Sequence, residues 1–232
     1  MRRSLEETLP ALLLVLTATT GLVDAVSYLA LGHVFTANMT GNVVFLGFAL
    51  GGVSQLSIPL SLTALLAFVA GAVAGGGMAA RIGAKKAWTG GAFLSEALLL
   101  ACAAAAAWGL RADSGAESYR LYAIVALMAA AMGIRNAAVR KLAVPNLTTT
   151  VLTLTLAGIG ADSSLAGGKN PGLGTRIASV VLMFLGALVG AVLLRYSVAL
   201  PILLAAVAAA VCGLVVLAST EMPASIPPER HA

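Results

Sequence analysis

Two stretches of this 232-residue chain carry hydroxyl and amide side chains in otherwise apolar surroundings. One holds Thr36, Asn38, Thr40, Gly41 and Asn42, and the other holds Thr148, Thr149, Thr150, Thr153 and Thr155. Such groups both donate and accept hydrogen bonds, which suits a polar solute, a small ion or a path for water. If these stretches lie at bilayer depth, their backbone can unwind only where its freed N–H and C=O groups meet protein or a water-filled cavity. Gly41 supplies the flexibility for such a break. The competing reading is that each Thr or Asn bonds across a helix contact or back to its own helix. Two clusters in matching positions favour a binding role over that reading.

Three ionisable side chains stand inside apolar runs. Asp24 lies about sixteen residues into the first run, about 24 Å from its start at 1.5 Å per residue, and so beyond the midplane. A carboxylate there faces a cavity or a partner and is a candidate proton, cation or solute site; a structural hydrogen bond to the broken segment is the alternative. Glu96, about eight residues past Trp88, falls near mid-bilayer, either as a coupling group or as a protonated acid facing another helix. Arg135 is the cationic candidate for pairing, though snorkelling to an interface competes. His33 is expected at the edge of the first span in a solvated or capping role. The other histidine is His231, so no metal set can be assembled, and no cofactor is expected.

The elements that must position these groups follow from composition. Hydrophobic residues make up 60% and charged residues 10%, with a mean hydropathy of +1.00, against about 25% charged in soluble domains. A spanning helix needs about 20 apolar residues. Six runs meet that demand: 8–31, 58–80, 88–109, 120–141, 177–195 and 199–218. Trp88 and Trp108 bracket the third, as interfacial aromatics would. Residues 34–52 and 146–160 either span or re-enter. The basic start Met1-Arg2-Arg3 resembles a signal peptide, but the apolar run behind it is long and lacks a cleavage pattern, so it reads as a retained first span. Cys102 and Cys212 read as small buried hydrophobes.

The distribution of the 14 Lys and Arg separates the two topologies. Eight full spans put seven on each side, which is no bias. Six spans with two re-entrant stretches put Arg2, Arg3, Arg81, Lys85, Lys86, Arg135, Arg140, Lys141, Lys169, Arg176 and Arg230 at or toward the cytoplasm, leaving Arg111, Arg120 and Arg195 outside. The positive-inside rule favours the second arrangement, with both ends cytoplasmic.

The halves also repeat. Gly21-Leu-Val-Asp24-Ala25 returns as Gly133-Ile-Arg-Asn136-Ala137 at a shift of 112, Thr36, Thr40 and Asn42 align with Thr149, Thr153 and Thr155 at 113, and Gly71 and Gly75 recur as Gly186 and Gly190 at 115. Residues 1–112 and 113–220 therefore read as two repeat halves and 221–232 as a polar tail. Three crossings per half force the second half to enter from the opposite side, giving an all-α polytopic protein of two three-span repeats with inverted topology. The Gly-xxx-Gly pairs read as close helix contacts, internal or between copies.

No GxSxG, HExxH, phosphate-cradling glycine loop or dinucleotide fingerprint occurs, and no nucleophile is paired with a base, so an enzyme is not expected. The Asn-x-Thr matches at 38–40 and 146–148 lie in apolar stretches and read as accidental. The run Gly21-Leu-Val-Asp24-Ala25-Val-Ser27, with Phe35-Thr-Ala-Asn38-Met-Thr40-Gly41-Asn42, resembles the signature of the YoaK-like family of bacterial multi-pass membrane proteins, a domain of unknown function. Asn136-Ala137 and Val144-Pro145-Asn-Leu-Thr-Thr-Thr150 extend the resemblance over nearly the whole chain. The family often has a Gln before Asn136 and a glycine in the second-half counterpart of Thr-Gly, where this chain has Arg135 and Leu154. The resemblance implies a bacterial inner-membrane location and names no substrate.

The reading that results is a secondary transporter or facilitator of a small polar solute or ion. Asp24, Thr36, Asn38, Thr40, Gly41, Asn42, Asn136, Thr149, Thr153 and Thr155 would form its site, and Asp24, Glu96 and Arg135 its coupling or ion-pair groups. A passive channel and a non-transporting assembly or receptor protein remain alternatives. The expected partners are the bilayer, the solute and further copies of the chain, with no nucleic acid: the basic residues sit in short runs at the ends of spans rather than on one face.

Overall fold

A computed structural model describes residues 4–110, 119–145, 147, 149, 150 and 152–220. Every regular element named among them is helical: α1 Leu5–Ala30, α2 Met39–Leu50, α3 Ile58–Arg81, α4 Lys85–Ala106, α5 Tyr119–Leu142, α6 Leu152–Ala161, α7 Leu173–Leu193 and α8 Ala199–Ala218. Local signals set several ends. Ser4 and Glu7 form a reciprocal capping box at the start of α1, satisfying N–H groups that the first turn leaves without partners. Ser57 caps α3, whose second residue is Pro59, where a missing N–H costs nothing.

Six of these helices are long and apolar enough to cross a membrane. The helices α2 and α6, with 12 and 10 residues, reach only about 18 and 15 Å, against a hydrocarbon core of about 30 Å. The stretches whose topology the sequence left open thus hold helices too short to span.

Close backbone contacts fix which helices meet. A Cβ on Gly21 would lie 2.1 Å from the Met183 carbonyl oxygen, and one on Gly186 would lie 1.9 Å from that of Ala18. In the same way, a Cβ on Gly133 would lie 2.1 Å from the Phe68 carbonyl oxygen and one on Gly71 2.1 Å from that of Ala130. Helices α1 and α7 therefore touch backbone to backbone, and so do α3 and α5. Small residues permit this approach, and dispersion contacts replace the hydrophobic drive that lipid removes. The Gly-xxx-Gly pairs serve contacts inside one chain.

These contacts also give direction. Gly71 and Gly75 meet Ala130 and Ile134, while Gly186 and Gly190 meet Ala18 and Leu22, so each of the two pairs runs parallel. Gly90 faces Leu217, whereas Leu94, one turn on, faces Gly213, so α4 and α8 run antiparallel. The Leu5 N–H donates to the Thr220 carbonyl at 3.1 Å, and Cys212 Sγ lies 3.9 Å from the Leu12 carbonyl, which makes α1 and α8 antiparallel. Arg120 Nε donates to the Ala106 carbonyl at 2.5 Å and Arg135 meets Glu96, so α4 and α5 are antiparallel too. Helices α1, α4 and α7 thus point one way and α3, α5 and α8 the other.

The apolar interior forms two clusters. One gathers Leu31, Leu60, Leu100, Met128 and Ile202, and the other Leu9, Leu13, Trp88, Phe93 and Val216. Trp88 is buried against helix neighbours rather than placed at a lipid interface, whereas Trp108 is exposed. Cys212 is buried as expected, but Cys102 is exposed. Leu66, Val69 and Val73 on α3, with Phe184, Leu188 and Val192 on α7, point outward, forming apolar faces that a soluble surface would not carry but lipid covers.

Candidate functional site

The segment 31–38 leaves the end of α1 and turns back along it. At its start Gly32 takes a left-handed φ of 85°, and a Cβ there would meet Leu60 of α3, so α3 begins beside the end of α1. Between these points the chain descends far enough for the Ala37 N–H to donate to Asp24 Oδ1 at 3.0 Å. The Asp24 carboxylate also faces the backbone N–H groups of Thr36 and Asn38. Asp24 lies six residues before Ala30, about 9 Å of helix. The hairpin therefore dips to that depth, and α2 carries the chain back.

Asn42 closes the hairpin. Its Oδ1 accepts from the Phe35 N–H at 2.8 Å, and its Nδ2 donates to the Phe35 carbonyl at 2.6 Å. Both main-chain groups of a residue outside regular structure are thereby satisfied by one buried amide, as the interior demands. Gly41 acts differently from the flexibility its sequence context suggests. It lies within the first turn of α2, where a Cβ would fall 2.7 Å from the Phe35 ring, so it makes room for that ring. Phe35 stacks on Tyr28 and Phe45 at centroid separations of 5.2 and 5.6 Å, and His33 meets Tyr28 edge-on at 5.3 Å. This aromatic stack fills the first-half hairpin and went unnoticed in the sequence.

At the corresponding positions of the second half, other atoms make the bonds. Thr150 Oγ1 donates to Asn136 Oδ1 at 2.6 Å, while Asn136 Nδ2 donates to the Met132 carbonyl at 2.9 Å. Asn136 stands 112 positions after Asp24, and Thr150 stands 113 after Ala37. Thr36 and Thr149, likewise 113 apart, are both buried, and among the described residues neither hydroxyl has a hydrogen-bond partner. Asn42 and Thr155 are both buried, whereas Asn38, Thr40 and Thr153 are exposed. Of the residues singled out in the sequence, Thr36, Asn42, Thr149 and Thr155 thus point inward with Asp24 and Asn136 partly buried beside them. Thr148 lies outside the described residues.

Both hairpins bond to α1. Thr20 Oγ1 donates to the Thr149 carbonyl at 2.9 Å and is also 3.1 Å from the Leu16 carbonyl. Asp24, which holds the first hairpin, is one turn further along, about 6 Å. Thr20 has no repeat counterpart, since position 132 is Met, so the comparison of halves passed over it. Its one signal is a hydroxyl one turn from Asp24.

Arg135 neither snorkels nor pairs with Asp24. It is fully buried, with Nε 3.4 Å from Glu96 Oε1. Nη1 donates to the Leu16 carbonyl at 2.5 Å and to Thr19 Oγ1 at 2.7 Å, and Nη2 lies 2.6 Å from Met132 Sδ. Leu16 is near the middle of α1, so the guanidinium is too deep to reach an interface. Glu96 falls between Phe93 and Leu100, members of the two different apolar clusters. The pair forms a polar layer between the clusters and ties α1, α4 and α5 together. Paired burial is how an intramembrane charge is tolerated.

A cavity of about 370 Å³ opens beside the second hairpin, with Asn136, Arg140, Leu147 and Thr150 in its wall. Among the described residues no group of three or more His, Cys, Asp or Glu could hold a metal ion.

Residues 12–217 match the model of the family described as Protein of unknown function (DUF1275). The chain belongs to this family. A relative, the UPF0700 transmembrane protein YoaK of Bacillus subtilis (strain 168), is 38% identical over 157 residues, which cover 66% of each chain. The match thus spans just under two thirds of that relative's length. No solved structure matches. Family membership together with six long apolar helices makes this a multi-pass membrane protein of the DUF1275 family.

Proposed function

We propose that this DUF1275 protein is a secondary transporter or facilitator of a small polar solute or ion, residing in the bacterial inner membrane with both termini cytoplasmic. Its halves are inverted repeats, and the segments leading into α2 and α6 are re-entrant. Taken pair by pair, α1 runs opposite to α5, α3 to α7 and α4 to α8, which supports the inversion, as do glycine contacts that correspond position by position. Orientation rests on the positive-inside rule. Arg81, Lys85, Lys86, Arg140, Lys141, Lys169 and Arg176 lie at the helix ends shared with the start of α1, and Arg120 and Arg195 at the opposite ends.

The observation that carries the transport reading is that the two hairpins bond to α1 one turn apart, at Thr20 and Asp24. Broken helices from opposite halves, with Thr36, Asn42, Thr149 and Thr155 buried, make the kind of site about which alternating access operates. Its inner residues are Thr20, Asp24, Thr36, Asn136, Thr149 and Thr150.

The test is a thermal-shift screen of purified protein against small polar solutes and ions, followed by uptake into reconstituted vesicles. A transporter binds a ligand that raises Tm, takes it up saturably, and loses both responses in Asp24→Asn and Thr149→Ala variants that stay folded. Flux without saturation or gradient dependence makes it a channel. Absence of any ligand response, with both variants markedly less stable, makes the polar groups structural and the protein a non-transporting one.

A further inference from the structure

Two carboxylates stand inside the bundle, and they are held in opposite ways. Asp24 accepts from the Ala37 N–H and faces those of Thr36 and Asn38, so the backbone of the first hairpin matches its charge. Glu96 is fully buried, and among the described residues neither of its oxygens accepts a hydrogen bond. Its counter-charge is Arg135, with Nε 3.4 Å from Oε1. Helices α3, α5 and α8 pack on α4. Of these, α5 presents Arg135 and α8 presents Cys212 to Glu96, while α3 has no ionisable residue before its last, Arg81. Intramembrane acids with one such partner serve as proton relays in pumps and transporters.

The far side of Arg135 ends on a crowded acceptor. Within α1 the Leu16 carbonyl is the regular partner of the Thr20 N–H. Three more donors converge on it: Arg135 Nη1 at 2.5 Å, Thr19 Oγ1 at 2.8 Å and Thr20 Oγ1 at 3.1 Å. A carbonyl oxygen has two lone pairs, so not all four can be served. The Thr20 hydroxyl has a single hydrogen and a second acceptor, the Thr149 carbonyl of the second hairpin, at 2.9 Å. A helical Thr left to itself bonds back to its own helix. Here the guanidinium occupies that acceptor, and the Thr20 hydrogen goes to Thr149.

We propose that Glu96 is a proton-binding site and that Arg135, the Leu16 carbonyl and Thr20 carry its state to the second hairpin. With Glu96 ionised, Arg135 is anchored at Nε, Nη1 sits on Leu16, and Thr20 fastens Thr149. A proton that binds a Glu96 carboxylate oxygen cancels the charge that anchors the guanidinium. Nη1 then leaves Leu16, the Thr20 hydrogen turns back to its own helix, and the second hairpin is released. The first hairpin, bonded through Asp24 and Asn42, has no such control. This names the proton as coupling ion and rests on the transport reading for that role, but the switch itself is defined by the response of the hairpin to protons.

The experiment is amide hydrogen exchange of the full-length protein in a neutral maltoside detergent, read as the protection of α6 relative to that of α2. The intrinsic pH dependence of exchange cancels in this ratio. From about pH 9 to about pH 5 the ratio is expected to fall about fivefold, the worth of one hydrogen bond. Thr20→Val, and the double variant Glu96→Gln with Arg135→Gln, should hold the low value at every pH, whereas Thr20→Ser, which keeps the hydroxyl, should respond as the parent does. If the double variant does not fold, Thr20→Val against Thr20→Ser decides. A ratio in the parent that ignores pH, or one that Thr20→Val leaves unchanged, overturns the switch. A pH response confined to α2 gives the proton to Asp24 or His33, and one that survives in the double variant gives it to another acid, such as Asp162 at the end of α6; either overturns the assignment to Glu96. The expected α6 response without any vesicle uptake defeats the transport reading and leaves the switch standing; saturable uptake with a ratio indifferent to pH does the reverse.

Discussion

The first hairpin is shut and the second is open, although both are built on the same positions. Asp24 and Asn136 hold equivalent points of the returning chain, one to a backbone N–H and the other to a hydroxyl. Beyond that shared anchor the halves part. Asn42 fastens Phe35 by two bonds, and Gly41 lets the Phe35 ring lie on α2 between Tyr28 and Phe45. The second half has Thr155 where Asn42 stands, an outward-facing Leu154 where Gly41 stands, and a cavity where the rings would be. On the proposed repeat, the backbone sets where each hairpin sits, and a few side chains decide whether the space beside it is filled.

The sharpest way to break the comparison is at the layer the repeat does not share. Arg135 and Glu96 correspond to Val23 and, at a shift of 114, Ala210, so the ion pair is unmatched in the other half. Glu96→Ala leaves a buried guanidinium without its counter-charge and should cost about 3–5 kcal/mol. The double variant Glu96→Gln with Arg135→Gln should recover most of that, as read by denaturant unfolding in mixed micelles. If the double variant is no better than the single one, the pair does not act as a unit.

The glycine contacts test what is shared. Gly21→Ala and Gly133→Ala each force a methyl onto a backbone oxygen that is 2.1 Å away, and each should cost about 3 kcal/mol, the upper end of ordinary overpacking. Equal losses in unfolding midpoint support the equivalence of the α1–α7 and α3–α5 contacts, and a loss confined to one of them breaks it.

Asn42→Ala should then cost about 2 kcal/mol, since it strands both main-chain groups of Phe35. Thr155→Ala should cost less than about 1 kcal/mol, because no equivalent fastening has been built there. Limited proteolysis of the folded protein should accordingly cut the first hairpin sooner in Asn42→Ala while leaving the rate for Thr155→Ala near that of the parent. A small effect is also expected of Asp24→Asn, which converts the first anchor to the second half's chemistry. It weakens a charge-assisted bond to a neutral one, about 1 kcal/mol in Tm measurements. A much larger loss would mean that the carboxylate, and not the hydrogen bond, holds the hairpin.

Much of this architecture was legible in the sequence because length and hydropathy act locally. The six spans lie within four residues of their expected starts and ends. The short helices were marked by Thr and Asn in apolar runs, and the matched spacing of Asp24 with Asn136 and of Thr36 with Thr149 placed the paired anchors. What could not be read was which faces meet. That Arg135 reaches Glu96 rather than Asp24 depends on the rotation of three helices about their axes, to which a hydropathy profile is blind. The same limit hid Thr20, whose partner lies 129 residues away, and the Tyr28–Phe35–Phe45 stack, in which each ring alone looks like ordinary apolar content. Asn38, Thr40 and Thr153 shared the composition of their neighbours but point outward, because a polar cluster on a helix does not reveal which member faces in.

The parallel contacts of α1 with α7 and of α3 with α5 also set an order of assembly. Gly71 meets a helix made about sixty residues later, but Gly21 meets one made 165 residues later, at Gly186. At about 5–20 residues per second of synthesis, α1 waits about ten to thirty seconds in the bilayer with its glycine face uncovered. The helix that is made first is closed last, and during that interval its Asp24 depends on the hairpin directly behind it.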